Sequence, residues 1–276
     1  MPTRIGLQTF TIRRHLKSPG AIDGAFAKIA AMGIQAIELA YVKLGQEYIE
    51  ALQQAGQRHD IAIDSTQLTF RFLDRERERV AKIHERLDCR HTAVSVLPWK
   101  VIRGGRDHML AFAEAVEALG KWYRERGIQL SFHHHDYEFR RYGETTGLEV
   151  LLQNTSSENV GLELDTYWTQ RGGRSPQDAI RDLDGRVKVV HLRDYTIRPR
   201  YFELLPSDTE LGAGNLDLTR IVDACCDKQV HLLAIEQNTR TPLQSVQRSV
   251  EHLRALGYSN LLRPTAPEAG HDTRQL

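Results

Sequence analysis

The stretch VGLELDTYWTQRGGRSPQDAIRDLDGRVKVVHLRDY, residues 160–195, decides the fold. It opens on an apolar run that ends in Asp165, passes through a connecting segment, and closes on a second apolar run that carries His191. Runs rich in Val, Ile and Leu without clean alternation suit strands of a parallel sheet buried on both faces, and parallel neighbours need a crossover between them.

Outward from this pair the same kind of run recurs at RIGLQ (4–8), IQAIEL (34–39), IAIDST (61–66), HTAVSV (91–96), IQLSFH (128–133) and LLAIEQ (232–237), which makes eight in all. Helical spacing fills the intervals. In AIDGAFAKIAAMG (21–33), Ala25, Ile29 and Met32 share a face and Gly33 is placed to cap the C-terminus. FLDRERERVAKIHERL (72–87) reads as one helix with a solvated charged face. DHMLAFAEAVEALGKWYRERG (107–127) reads as an amphipathic helix that buries Phe112 and Leu119.

Eight strand-then-helix units with right-handed crossovers favour closure, so the expected class is α/β and the expected fold a single (β/α)8 TIM barrel. An open doubly wound sheet is the alternative. Its Gly-rich turn is missing after the first strand, where LQTFTIRRHLKSPG (7–20) holds no GxGxxG. The 276 residues match the roughly 250 that a barrel commonly needs. The expected boundaries are a barrel over residues 1–261 and a flexible polar tail over 262–276, LRPTAPEAGHDTRQL.

With 37 basic against 36 acidic residues, a net charge of +1 provides no field to steer a polyanion. The N-terminus lacks the apolar core of a secretory signal, and no run of about 18 apolar residues is present. The expectation is a cytoplasmic protein with a small-molecule carbohydrate partner, no nucleic acid and no membrane, with a homo-oligomer left open. Cys89, Cys225 and Cys226 fit neither a disulfide framework nor a zinc knuckle and read as reduced packing residues.

In a barrel, a polar residue at the C-terminal end of a strand points to the face where active sites are built. Strand five ends in His133-His134-His135-Asp136, strand six in Asp165, strand seven in His191 and strand eight in Glu236. Four adjacent strands thus end in groups that bind a cation. Mixed imidazole and carboxylate donors suit one divalent metal ion, with manganese first and zinc, cobalt, iron or magnesium as the other candidates. Asp165 alone has a plainer reading as the cap of the next helix.

At these residues the sequence resembles the xylose-isomerase-like superfamily of sugar isomerases and epimerases, which also contains inosose dehydratase and endonuclease IV. The likeness runs from IGLQTFTIR and AAMGIQAIEL through SFHHHDYEF, LELDTYW, VVHLRDY and ELGAGNLD to AIEQN. It implies a barrel holding one divalent metal by Glu, Asp, His and Glu from successive strands. Asp165, His191 and Glu236 match the last three. Where epimerases of the family carry the first glutamate, this chain has His133, within a triple histidine that resembles inosose dehydratase; His135 and Glu138 compete for that position. Nuclease activity would need a multinuclear site and a basic face, and the sequence shows neither.

The resemblance implies further roles. Glu236 is the general base and His133 the second catalytic group, an imidazole that also suits expulsion of a hydroxyl. The expected reaction is isomerisation or epimerisation by proton abstraction next to a carbonyl, with elimination of water from a keto-polyol or 3-keto-glycoside, or a non-catalytic sugar-binding barrel, as alternatives. Glu38, His135, Trp168, Arg193 and Arg198 are the candidate substrate contacts, with a salt bridge inside the barrel mouth as the equal reading of Glu38 and a solvated surface as the plainer reading of the arginines. Trp168 stands where many members place a histidine and reads either as a stacking platform or as rim packing. Arg200 and Lys100 are weaker candidates. Gly212 and Gly214 match a family Gly-x-Gly or form a simple tight turn. The connection from Arg193 to Asn215 exceeds ordinary loops and reads as a lid.

Overall fold

A computed structural model describes residues 3–183 and 185–264. The eight apolar runs are eight strands: β1 (Arg4–Gln8), β2 (Ala36–Leu39), β3 (Ala62–Leu68), β4 (His91–Val94), β5 (Gln129–His133), β6 (Val160–Asp165), β7 (Val187–Leu192) and β8 (Leu232–Ile235). They form a closed parallel barrel in chain order, with β1 pairing to both β2 and β8. The barrel is the expected (β/α)8 fold.

Each crossover helix buries one stripe against the strands. The first, Pro19–Ala31, begins with a proline in its first turn and buries Ile22, Ala25, Phe26 and Ile29. It ends at Gly33, where φ is +91° and a Cβ would strike the Arg254 guanidinium. Helix Arg106–Arg124 buries Phe112 and Leu119 as expected. The charged helix is two, Phe70–Arg75 and Arg77–Leu87, broken at Glu76. Residues 74–79 are all charged and exposed, so packing exerts no hold on that turn.

Outward-facing residues such as Ile5, Leu7, Phe132, Leu162 and Val190 are fully buried beneath the helices. Each contributes about 1.5–3 kcal/mol relative to exposure. Inside the barrel a small apolar layer of Ala36, Val189, Leu232 and Ala234 fills the floor. Strand periodicity of two then fixes what stands above: Glu38 follows Ala36, His191 follows Val189, and Glu236 follows Ala234, each one step nearer the C-terminal mouth.

The expected lid loop after β7 is instead an antiparallel hairpin, Asp194–Arg200 with Glu203–Thr209, in register from Asp194↔Thr209 to Arg200↔Glu203. Pro199 and Pro206 hide it in the sequence, because a proline within a run argues against a strand; a two-stranded ribbon tolerates the missing donors. At the other end, Leu262 is buried and the Arg263 N–H donates to the Gly33 carbonyl, so the packed chain reaches past 261. The remainder of the expected tail, from 265, lies outside the described residues.

Candidate metal centre and active site

His191 occupies the middle of the site. Its ring is fully buried, with Nε2 donating to Glu38 Oε1 at 2.8 Å and lying 3.1 Å from Glu163 Oε1. Nδ1 faces the mouth, 4.0 Å from Asp165 Oδ2 and 2.9 Å from Glu236 Oε2, out of line for a hydrogen bond with the latter. Burial works against a proton on this ring, but Glu163 and Glu38 outweigh it and raise the pKa well above the usual value. Burial and the Glu163 charge push Glu38 up to about 7. Burial acts the same way on Glu163, yet His191 and His133 outweigh it and hold that carboxyl down at about 2.

β5 brings in His133. Its Nδ1 donates to the Ser95 carbonyl at 3.2 Å, which leaves a lone pair on Nε2. That Nε2 is buried without a hydrogen-bond partner among the described residues and lies 3.7 Å from Asp165 Oδ2. Asp165 serves both readings of the sequence. Its Oδ1 accepts from the Trp168 N–H at 3.0 Å and caps helix Thr166–Arg171, while Oδ2 turns to the two histidines. Against burial, Arg193 and His133 hold its carboxyl well below the ordinary range.

His133, Asp165, His191 and Glu236 each place one ligand atom so that all four lie within 4.8 Å of one another. His135 and Glu138, the competitors for the strand-five position, stand outside this group. Glu138 Oε2 accepts from the His135 N–H at 2.8 Å, and burial raises its pKa to about 8. His134 points the other way: Nε2 accepts from the Asp165 N–H and Nδ1 donates to the His135 carbonyl, which fixes the turn out of β5.

Above the cluster a cavity of about 410 Å³ receives a residue from every strand end, including Gln8, Tyr41, Gln67, Ser95, His135, Trp168, Arg193 and Glu236. Arg193 is buried; it donates to Asp165 Oδ2 at 3.2 Å and Asp208 Oδ1 at 2.8 Å, and its guanidinium lies over the Tyr167 and Trp168 rings. Asp208 comes from the hairpin, so Arg193 ties the hairpin to Asp165 of the candidate cluster. Trp168 lines the cavity, and its Nε1 has no hydrogen-bond partner among the described residues.

Other candidates lie elsewhere. Glu38, which the sequence leaves between a substrate contact and a salt bridge, is fully buried in an ion pair with His191 and does not line the cavity. Arg198 is exposed and lines a neighbouring polar cavity instead. Arg200 and Lys100 are exposed and away from both. Gly212 and Gly214 form a structural turn: their N–H groups donate to Asp194 Oδ2, and a Cβ at 214 would collide with that carboxylate.

Several residues escaped the sequence reading, Glu163 and Gln67 among them. Glu163 stands two before Asp165 and so shares its inward face, a signal that strand periodicity carries. Gln67 does not advertise itself; its Nε2 donates to Glu163 Oε1 at 2.9 Å, and Gln8 Nε2 reaches Gln67 Oε1 at 3.4 Å. A hydrogen-bonded chain thus runs from the cavity to the far side of His191.

Comparison with known proteins agrees with the architecture. A family model described as xylose isomerase-like TIM barrel matches residues 26–256. Inosose dehydratase of Mesomycoplasma hyopneumoniae is 31% identical over 83 residues, 30% of this chain and 27% of that protein, so the match spans about a quarter of the relative's length. A sugar phosphate isomerase/epimerase from Parabacteroides distasonis superposes with a TM-score of 0.74 at 20% identity, covering 94% of this chain and 96% of its own. The probable 3-DHS dehydratase of Bacillus anthracis gives 0.70 at 13% identity, covering 91% and 98%. Such identities establish a shared fold and leave the chemistry to the site.

Proposed function

We propose that this chain, which belongs to the xylose isomerase-like TIM barrel family, is a divalent-metal-dependent isomerase or epimerase of a sugar or keto-sugar. The observation that carries this reading is the convergence of four ligand atoms from four consecutive strand ends, two of them buried imidazole nitrogens without a hydrogen-bond partner. The residues fit an ion. The second nitrogen of each imidazole is engaged, His133 by the Ser95 carbonyl and His191 by Glu38, which is the outer support that ligating histidines require. Mixed N and O donors favour manganese, then zinc, cobalt or iron, over magnesium.

When bound, such an ion supplies Lewis-acid polarisation of a carbonyl and so acidifies the adjacent C–H. Glu236 takes that proton. It is buried, and against burial Arg193 and His191 keep its carboxyl below the usual range and therefore ionised. Arg193, fixed by Asp208 and Asp165, stabilises negative charge growing on the substrate oxygen. Gln8, Gln67 and Ser95 offer hydrogen bonds to hydroxyls, and Trp168 offers its ring face and an unpaired N–H. His135 lines the same cavity; burial and His133 push its pKa down to about 2, so it is a neutral imidazole there.

Elimination of water is the second reading. An imidazole stands at the strand-five position, and the 83-residue likeness to an inosose dehydratase supports it. The deciding experiment incubates the metal-loaded protein with keto-sugars, keto-inositols and 3-keto-glycosides in deuterated water. Exchange without an ultraviolet-absorbing enone is the expected result; an enone assigns a lyase. Purified protein that holds no stoichiometric transition metal would sink both.

A further inference from the structure

The cavity over the metal cluster is not closed on all sides. Tyr41, Gln67, Ser95 and Val96 also line a second cavity of about 520 Å³ on the β2–β4 side of the mouth. Beyond those shared residues Val42, Leu44, Leu68 and Phe72 give it an apolar wall, bordered by Lys43, Thr69 and Arg79, whose guanidinium lies 5.8 Å over the Phe72 ring. The four shared residues set this wall edge to edge with a site whose own lining offers hydrogen bonds to hydroxyls.

Tyr41 stands at that edge. The residue is 77% exposed and its φ is +57°, a left-handed conformation that costs an ordinary side chain free energy and that glycine adopts freely. The ring packs on Phe10, another wall of the metal cavity, at 4.9 Å between centroids. A large aromatic held in a disfavoured backbone state at the junction of two cavities is the kind of outlier from which a binding role is argued.

Resting on the sugar-enzyme reading above, we infer that the substrate carries an aryl substituent: the polyol ring lies on the metal side, and the aryl group passes Tyr41 into the apolar groove. A monosaccharide leaves this wall facing water. A planar apolar ring has aromatic partners there in Tyr41 and Phe72, and its transfer from water is favourable.

The test uses the full chain loaded with manganese and titrated by NMR with methyl β-glucoside and phenyl β-glucoside. The phenyl compound is expected to bind at least about tenfold more tightly. Leu44→Asp, a half-buried groove position, is expected to abolish that preference, and Tyr41→Gly, which suits the backbone conformation, to reduce it. Manganese stoichiometry stays unchanged in both. Equal affinities, or a preference that survives Leu44→Asp, would overturn the inference. So would a dimer that Leu44→Asp dissociates without touching the phenyl preference, since the groove then belongs to a second copy. Binding of neither glycoside overturns it too, and the manganese titration then shows separately whether the metal reading stands.

Discussion

The two halves of the barrel mouth share one strand geometry and differ in charge. On the β5–β8 side, His133, Asp165, His191, Arg193 and Glu236 crowd together, and Asp165, Glu236 and His191 are all shifted toward their ionised forms. On the β1–β4 side the cavity wall is Gln8, Tyr41, Gln67, Ser95 and Val96, uncharged throughout. Histidine makes the contrast plain. His191 sits among carboxylates and holds its proton well above the usual pH. His84, packed behind β3 and β4, has its pKa pushed down to about 4 by burial, with Nδ1 donating to the Cys89 carbonyl and Nε2 accepting from the Thr66 hydroxyl. Burial is common to both; the neighbouring charges decide the sign.

The largest way to break the contrast is to remove a charge at its centre. Asp165→Ala is expected to lower metal affinity by more than about 100-fold and activity to background, read by metal analysis and turnover. Asp165→Asn keeps an oxygen to cap helix Thr166–Arg171 and separates folding from ligation. Next is Glu163→Gln, beneath His191, which should weaken metal binding about 10- to 100-fold in a chelator competition. Unchanged affinity there would mean that the lower carboxylates do not support the ring.

Acid titration sharpens the comparison from the neutral side. The folded pKa of His84, about 4, lies below its ordinary 6.5. Its neutral form therefore stabilises the fold fully above pH 6.5, and that contribution, at most about 3 kcal/mol, is lost as pH falls toward 4. Urea unfolding of wild type and His84→Gln across this window should show a shallower loss in the variant. Parallel curves would remove His84 from the account. The smallest expected effects are at Lys100→Ala and Arg200→Ala, both exposed and outside the cavity, where stability should stay within about 0.5 kcal/mol and turnover unchanged.

Legibility in the sequence followed the same division. Strand-end histidines and acids on β5–β8 stand out because charged groups after apolar runs are conspicuous, and His133, Asp165, His191 and Glu236 do converge. Gln67 and Ser95 are ordinary residues at ordinary places, and only proximity gives them meaning. The hairpin after β7 stayed hidden because Pro199 and Pro206 mask its strands, and with it went the partnership of Arg193 and Asp208. Of the two readings of Glu38, the ion pair with His191 is the salt bridge inside the mouth.

Apolar runs and helical spacing determined the eightfold strand-helix alternation, because both are local properties of the chain, and with the missing Gly-rich turn they favoured the barrel. They also determined that acids and imidazoles would end four adjacent strands. Which face each group serves was decided by tertiary structure. Glu38 and His191 lie 153 residues apart, and their 2.8 Å contact turns Nε2 to the barrel interior and Nδ1 to the mouth. No local pattern encodes which nitrogen of a ring meets which carboxylate, since that follows from closure of the barrel and the register of its strands.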